Sequence, residues 1–169
     1  SKQKFKKFLG SLHDFPESIM AIGRLDEKSE GVLLLTTDGK MSAHINSRKV
    51  EKEYYAQVDG DISIEALQQL KTGVEIGFDG GKYKTKPCKA FKLEEIPDLP
   101  NRGKKIRDDR HGPTSWVSIT LNEGKFRQVR KMTSSVGFPT LRLVRVRVGG
   151  IHINDMQAGD VVEVDVFGV

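Results

Sequence analysis

The residue in this sequence best placed to do chemistry is a lone carboxylate fenced by glycines. Asp26 lies within Gly23-Arg24-Leu25-Asp26-Glu27-Lys28-Ser29-Glu30-Gly31-Val32-Leu33-Leu34-Leu35-Thr36-Thr37-Asp38-Gly39, just after a short apolar run. An aspartate so placed can act as nucleophile or as general base, and either role requires the ionised form. Positive charge close by keeps it so. A second block, Glu123-Gly124-Lys125-Phe126-Arg127-Gln128-Val129-Arg130-Lys131-Met132, offers that charge. Other chemistries fit poorly. His13, His44, His111 and His152 are scattered without ligand spacing, and no Ser-His-Asp order is present. Asp79-Gly80-Gly81-Lys82 reads as a hairpin turn rather than a phosphate cradle. Neither a metal nor a cofactor is expected.

The net charge of +5 over 169 residues is unevenly placed. From Lys125 to Arg147 there are seven basic residues (Lys125, Arg127, Arg130, Lys131, Arg142, Arg145, Arg147) and no acidic one. Without those seven, 21 basic residues face 23 acidic ones, so the rest of the chain is close to neutral. A local stripe of this kind suits a phosphate backbone, although a solvated basic face has the same composition. No run approaches the length of a membrane span, no leader-like segment opens the chain, and Cys88 is the single cysteine. A reducing compartment, the cytoplasm, is therefore expected, with no disulfide framework.

The elements that must position Asp26 follow from periodicity. Lys2 to Lys7 permits a short amphipathic helix, with Phe5, Phe8 and Leu9 at helical spacing. Ile19 to Ile22 and Gly31 to Thr36 read as strands, which leaves Asp26 on the loop between them. Asp38 can cap a helix over Lys40 to Ser47. Glu53 to Val58 alternates as a strand, Ser63 caps a helix to about Lys71, and Gly73 closes it. A hairpin is expected around Phe78 to Lys82. Ile96 to Pro113 carries three prolines and reads as a long loop. Trp116 to Leu121 is a strand, Lys125 to Val136 a helix, Thr140 to Val148 a strand, and Val161 to Val166 a last strand. Helices interrupting a mixed, largely antiparallel sheet define an α+β fold.

Two of these elements carry the charge. On the helix, Phe126, Val129, Thr133 and Val136 share one face while Arg127, Arg130, Lys131 and Ser134 share another. On the strand, Leu143, Arg145 and Arg147 alternate with Arg142, Val144, Val146 and Val148.

Together the motifs resemble those of the pseudouridine synthases that modify ribosomal RNA. Gly23 to Gly39 is similar to their Gly-Arg-Leu-Asp-x-x-Ser/Thr-x-Gly-Leu-Leu-Leu-Leu-Thr-x-Asp-Gly signature, Lys52-Glu53-Tyr54 to their Lys-x-Tyr element, and Glu123 to Met132 to their Glu-Gly-Arg-x-Arg-Gln-Val-Arg-Arg-Met element. Order and spacing agree over nearly the whole chain. Ile106 to Trp116 and Gly137 to Leu143 look most like a branch acting on the large subunit, so 23S ribosomal RNA is the expected partner. Residues 1–169 are then expected to form one catalytic domain acting as a monomer. No S4-type RNA-binding domain, which many relatives carry, is expected before Gly23. The Lys-Pro strand that usually precedes the catalytic loop is also missing, so the chain is expected to be truncated at its N-terminus. Lys125 and Lys131 stand where arginine is common, which gives up bidentate phosphate contacts but keeps the charge.

The resemblance implies that Asp26 attacks or deprotonates the ribose of a uridine, as nucleophile or base. It places the supporting arginine at Arg130, for which a surface phosphate contact is the other reading. Tyr54 would stack on the flipped uracil and assist proton removal at C5, or simply pack as a strand residue. Arg24 would fill the space that the flipped base leaves. Leu143 would wall the pocket, unless it is an ordinary core leucine. Lys125, Arg127, Lys131, Arg145 and Arg147 are assigned to the RNA backbone, whose contacts fix register without reading sequence. A rival from another class is a non-catalytic RNA-binding or ribosome-assembly module on the same fold. Such a module has no use for Asp26, Tyr54 and Arg130 together.

Overall fold

A computed structural model describes residues 8–47, 49–102, 106 and 109–169. Among the described residues the framework is one six-stranded sheet with three α-helices. Its long strands are β4 (Lys52–Asp59), β8 (Thr114–Leu121) and β9 (Thr140–Val148). The shorter strands are β1 (Met20–Ala21), β2 (Glu30–Gly31), β3 (Leu35–Thr36), β5 (Glu75–Phe78), β6 (Gly81–Lys84), β7 (Lys89–Lys92) and β10 (Ile151–His152). Helices are α1 (Gly39–Asn46), α2 (Ile64–Thr72) and α3 (Gln128–Ser135).

The sheet runs β10-β9-β4-β8-β7, antiparallel throughout, with β2 added to β9 in parallel. β1 pairs with β3, and β5 with β6, as separate two-stranded ribbons. This is the mixed, largely antiparallel α+β arrangement expected from the sequence. Two apolar clusters cover the sheet. Ala56, Val58, Val117, Ile119 and Leu143 pack with Leu70 of α2 and Val129 and Met132 of α3. Val144, Val146 and Val148 pack instead with Ile22, Val32 and Leu34, on either side of the Asp26 loop, and Ile45 of α1. Adjacent β9 residues thus serve two cores, as strand alternation requires.

Local signals account for most boundaries. The Asp38 carboxylate accepts from the backbone N–H of Lys40 at 2.9 Å and caps α1. The Ser63 hydroxyl caps α2 by accepting from Ala66 N–H at 3.1 Å. Gly73 ends α2 at φ +109, where an added Cβ would lie 2.2 Å from the Thr85 carbonyl oxygen. Only glycine fits that close approach.

Four expectations are corrected. The run Gly31 to Thr36 is two strands, because the chain changes partner midway: Gly31 pairs with Arg145 of β9 and Leu35 with Ala21 of β1. The helix expected from Lys125 starts only at Gln128, since Arg127 adopts left-handed backbone at φ 52 and the Lys125 N–H donates to the Gln128 side chain. Phe126 consequently leaves the packing face and is 60% exposed, while Met132 is fully buried. Val161 to Val166 forms no ladder; the edge of β9 is taken by Ile151–His152, and Val162 and Val166 are exposed. The helix expected over Lys2 to Lys7 lies outside the described residues, as does part of the loop from Ile96 to Pro113. The described part of that loop is irregular apart from a 3-10 turn at Asp109–His111. No helix among the described residues is long and apolar enough to cross a membrane.

Candidate active site

Asp26 sits on the loop joining β1 to β2, and that loop is tied to β9 by a buried arginine. Arg145 is only 6% exposed. Its Nε and Nη2 donate to the Val32 carbonyl at 2.9 and 2.6 Å, and its Nη1 donates to the Arg24 carbonyl at 3.2 Å. The two acceptors bracket Asp26 in sequence, so one guanidinium closes both ends of the loop. Backbone bonds reinforce it: Val32 N–H donates to the Arg145 carbonyl, and Ser29 N–H to the Asp26 carbonyl, both at 2.9 Å. Gly31 permits the contact, because a Cβ there would lie 2.2 Å from the Arg145 carbonyl oxygen.

Cationic groups reach the loop from the entrance to α3. Arg127 Nη1 stands 3.5 Å from Asp26 Oδ2, which puts a positive charge against the carboxylate. The left-handed backbone of Arg127 makes it the N-cap of α3. Arg130 donates from Nη2 to the Ser29 hydroxyl at 3.2 Å and the Lys28 carbonyl at 3.3 Å. It therefore holds the loop, and the direct partner of Asp26 is Arg127. Burial pushes the Arg130 pKa down, as do the charges of Arg127 and Arg102, while Asp26 opposes them; the group stays a cation.

That entrance is itself fixed by Glu123, buried at 6% exposure. Its carboxylate accepts from the Tyr83 hydroxyl, from Lys86 N–H at 2.8 Å and from Gln128 Nε2 at 3.0 Å. Burial alone would raise the Glu123 pKa; the three donors and the Lys125 charge together outweigh it and hold the carboxyl below its usual range. Lys125 Nζ lies over the Tyr83 ring at 4.9 Å, and Lys131 Nζ over Phe78 at 3.7 Å, donating also to the Gly77 carbonyl at 2.9 Å. Both lysines thus dock the β5–β6 ribbon onto α3. Between β5 and α3 an open groove of about 410 Å³ remains, lined by Ile76, Arg127, Arg130, Lys131, Ser134 and Ser135 among others.

Tyr54 is partly buried on β4, between Ile119 of β8 and Arg145 of β9, and packs against the same core as Leu143. The residue that braces the Asp26 loop is thus also the cross-strand neighbour of Tyr54. Arg24 is exposed. Leu143, 4% exposed among Ala56 and Val129, is a core residue.

Two backbone-contact assignments are corrected by this geometry. Arg145 is buried and bonded to carbonyls. Arg147 donates to Glu53 at 3.1 Å, Glu51 at 3.3 Å and the Gly149 carbonyl at 2.8 Å. In both arginines Nε and both terminal nitrogens already donate to internal acceptors, so their planar forks are turned inward. One ion pair next to the Asp26 loop escaped the sequence reading. Arg142 binds Glu30 through two bonds of 3.0 and 2.9 Å and also donates to the Pro100 carbonyl at 2.7 Å. It links the start of the long loop to the strand that follows Asp26. A carboxylate four residues after Asp26 was the available signal.

The site is thus a carboxylate on a braced loop, faced by Arg127 and flanked by Arg130. The profile of the RNA pseudouridylate synthase family matches residues 1–135, and the chain belongs to that family. Ribosomal large subunit pseudouridine synthase E of Xanthomonas campestris is 42% identical over 146 residues, covering 85% of this chain and 76% of that protein. The protein of the same name from Vibrio parahaemolyticus is 41% identical over 145 residues, covering 85% of this chain and 59% of its own length. The chain thus spans between 59% and 76% of the length of these two relatives. A solved pseudouridylate synthase superposes with a TM-score of 0.70 at 26% identity, covering 90% of this chain and 59% of that one.

Proposed function

We propose that the protein isomerises a uridine of large-subunit ribosomal RNA to pseudouridine, acting as a monomer in the cytoplasm. The observation that carries this reading is the contact of Asp26 with Arg127 at 3.5 Å on a loop whose two ends are held by Arg145. The reaction breaks the N1–C1′ bond of uridine, turns the base and joins C5 to C1′; C5 then loses its proton to solvent and N1 gains one, so no atom is added or lost overall. It needs one carboxylate and no redox step. Asp26 acts at the ribose as nucleophile or base, Arg127 orients it by direct contact, and Arg130 holds the loop that carries it. A uridine inside folded RNA must leave the stack to expose its glycosidic bond. Arg24, exposed beside Asp26, fills the vacated space. Tyr54 stacks on the uracil and assists loss of the C5 proton. The surface offered by Arg127 and the groove beside it takes the phosphates.

The test is tritium release from C5-labelled transcripts of 23S and 16S ribosomal RNA, with wild type and Asp26→Ala side by side. Release from 23S alone, abolished by Asp26→Ala, is the expected result. Release from 16S instead moves the substrate to the small subunit. Tight binding without release from either RNA defeats the isomerase reading in favour of an assembly module.

A further inference from the structure

Phe126 is a large aromatic side chain left 60% exposed in the middle of the basic block from Lys125 to Lys131. It neighbours Arg127, whose guanidinium touches Asp26. Its ring lies 5.3 Å from Lys131 Nζ, and Lys131 lines the groove between β5 and α3. The exposure is built into the backbone. The left-handed turn at Arg127 and the bond from Lys125 N–H to Gln128 Oε1 hold residues 125–127 out of the helix, so Phe126 cannot join Val129 and Met132 in the core.

We propose that Phe126 is a stacking platform for an unpaired RNA base next to the target uridine, with the adjoining phosphate lying in the groove toward Arg127 and Ser134. This rests on the proposed isomerase reading and deepens it. A single exposed ring is ordinary on a protein surface; this one is set apart by its place next to Arg127 and by Lys131, a cation that also lines the groove. The partner must be flat and apolar on its face and anionic along its edge, because cations surround the ring: Lys125 and Arg127 beside it in sequence and Lys131 across from it. A base of single-stranded RNA with its phosphate meets both demands, since every base has a π-face and aromatic stacking does not depend on its identity. Paired bases present no free face, so duplex RNA gains nothing from the ring. The hydroxyls of Ser134 and Ser135 and the guanidinium of Arg130 in the groove suit phosphate oxygens. Phe126 therefore contributes to choosing a uridine whose neighbour is unstacked.

The experiment compares wild type, Phe126→Ala and Phe126→Tyr in two ways: KM and kcat for tritium release from 23S transcript, and Kd for a fluorescein-labelled single-stranded oligouridylate against the same strand in a duplex. Phe126→Ala is expected to raise KM and single-strand Kd roughly 5- to 100-fold, from the ordinary strength of base–aromatic stacking, with kcat and duplex Kd unchanged. Phe126→Tyr is expected to restore both. Unchanged single-strand Kd in Phe126→Ala overturns the proposal, as does equal weakening toward duplex. A fall in kcat at constant KM overturns it as well. If wild type binds but releases no tritium, the isomerase reading fails alone, and the two Kd series still decide whether Phe126 stacks.

Discussion

Replacing Arg145 by methionine separates the role the structure gives it from the role its charge suggests. Methionine keeps most of the aliphatic stem, so the change removes the guanidinium while leaving the buried space occupied by that stem largely filled. It strips two hydrogen bonds from the Val32 carbonyl and one from the Arg24 carbonyl. A buried acceptor left without its donor costs about 1–3 kcal/mol, and more when the donor was charged. Arg24 is exposed, so water can replace its bond at small cost. The expected penalty is about 2–4 kcal/mol, concentrated at the Val32 end. If all of it falls on the loop, the fraction of molecules that hold Asp26 in place drops by up to roughly 30- to 1,000-fold, and kcat with it.

Two assays together decide the point. Single-turnover tritium release at saturating enzyme reads the loss of organised site. The salt dependence of RNA binding reads phosphate contacts: each one lost flattens the slope of log K against log salt by about 0.7 for a single strand. Arg145→Met is expected to lower the turnover and leave the slope alone, whereas Arg127→Met is expected to flatten it. A slope flattened by Arg145→Met with turnover intact would refute the bracing role and return Arg145 to the RNA backbone.

Other outcomes follow from the same geometry. The folded-state pKa of Glu123 is depressed, so its contribution to stability is present above the unfolded value of about 4.3 and is lost as pH falls through the lower folded value. Glu123→Gln should lower the urea midpoint at pH 7, and the gap to wild type should narrow below about pH 4; a constant gap contradicts the linkage. Gly31→Ala forces a Cβ to 2.2 Å from the Arg145 carbonyl oxygen at φ +118, and should cost about 3 kcal/mol or more in urea unfolding together with turnover. Near-wild-type stability would show that β2 can separate from β9 freely. Burial, with the Glu123 charge, pushes the Cys88 thiol up to about 11. Iodoacetamide labelling at pH 8 should then run about 100-fold slower than for an ordinary thiol and climb about tenfold per pH unit up to pH 10; rapid labelling at pH 8 would show the thiol to be accessible and unshifted.

What the sequence made legible was what depends on neighbours in the chain. Asp38 and Ser63 cap their helices because the acceptor and the N–H groups lie within three residues of each other. The hairpin at Phe78 to Gly81 closes where two glycines permit positive φ. The alternation of β9 was visible because its valines recur at every second position. What stayed hidden was set by distant partners. The acceptor that consumes Arg145 lies 113 positions away, and those that consume Arg147 lie 94 and 96 away. Seen along the chain, a buried brace and a phosphate contact are the same residue type at the same spacing.

The two arginines of the α3 entrance show the same limit at close range, and why it matters for the chemistry. Spacing of three residues on a continuous helix puts Arg127 and Arg130 on one face, where either could meet Asp26. The turn at Arg127 breaks that equivalence. It frees Arg127 from the helix register to reach the carboxylate at 3.5 Å, while Arg130, fixed inside the helix, reaches Ser29 and Lys28 on the loop beyond it. One cation touches the carboxylate and the other positions the loop that carries it. The one charged contact falls on Oδ2 and uses only part of the acceptor capacity of the carboxylate. Glu123, through Gln128, determines where the helix begins, and so decides which arginine takes which task.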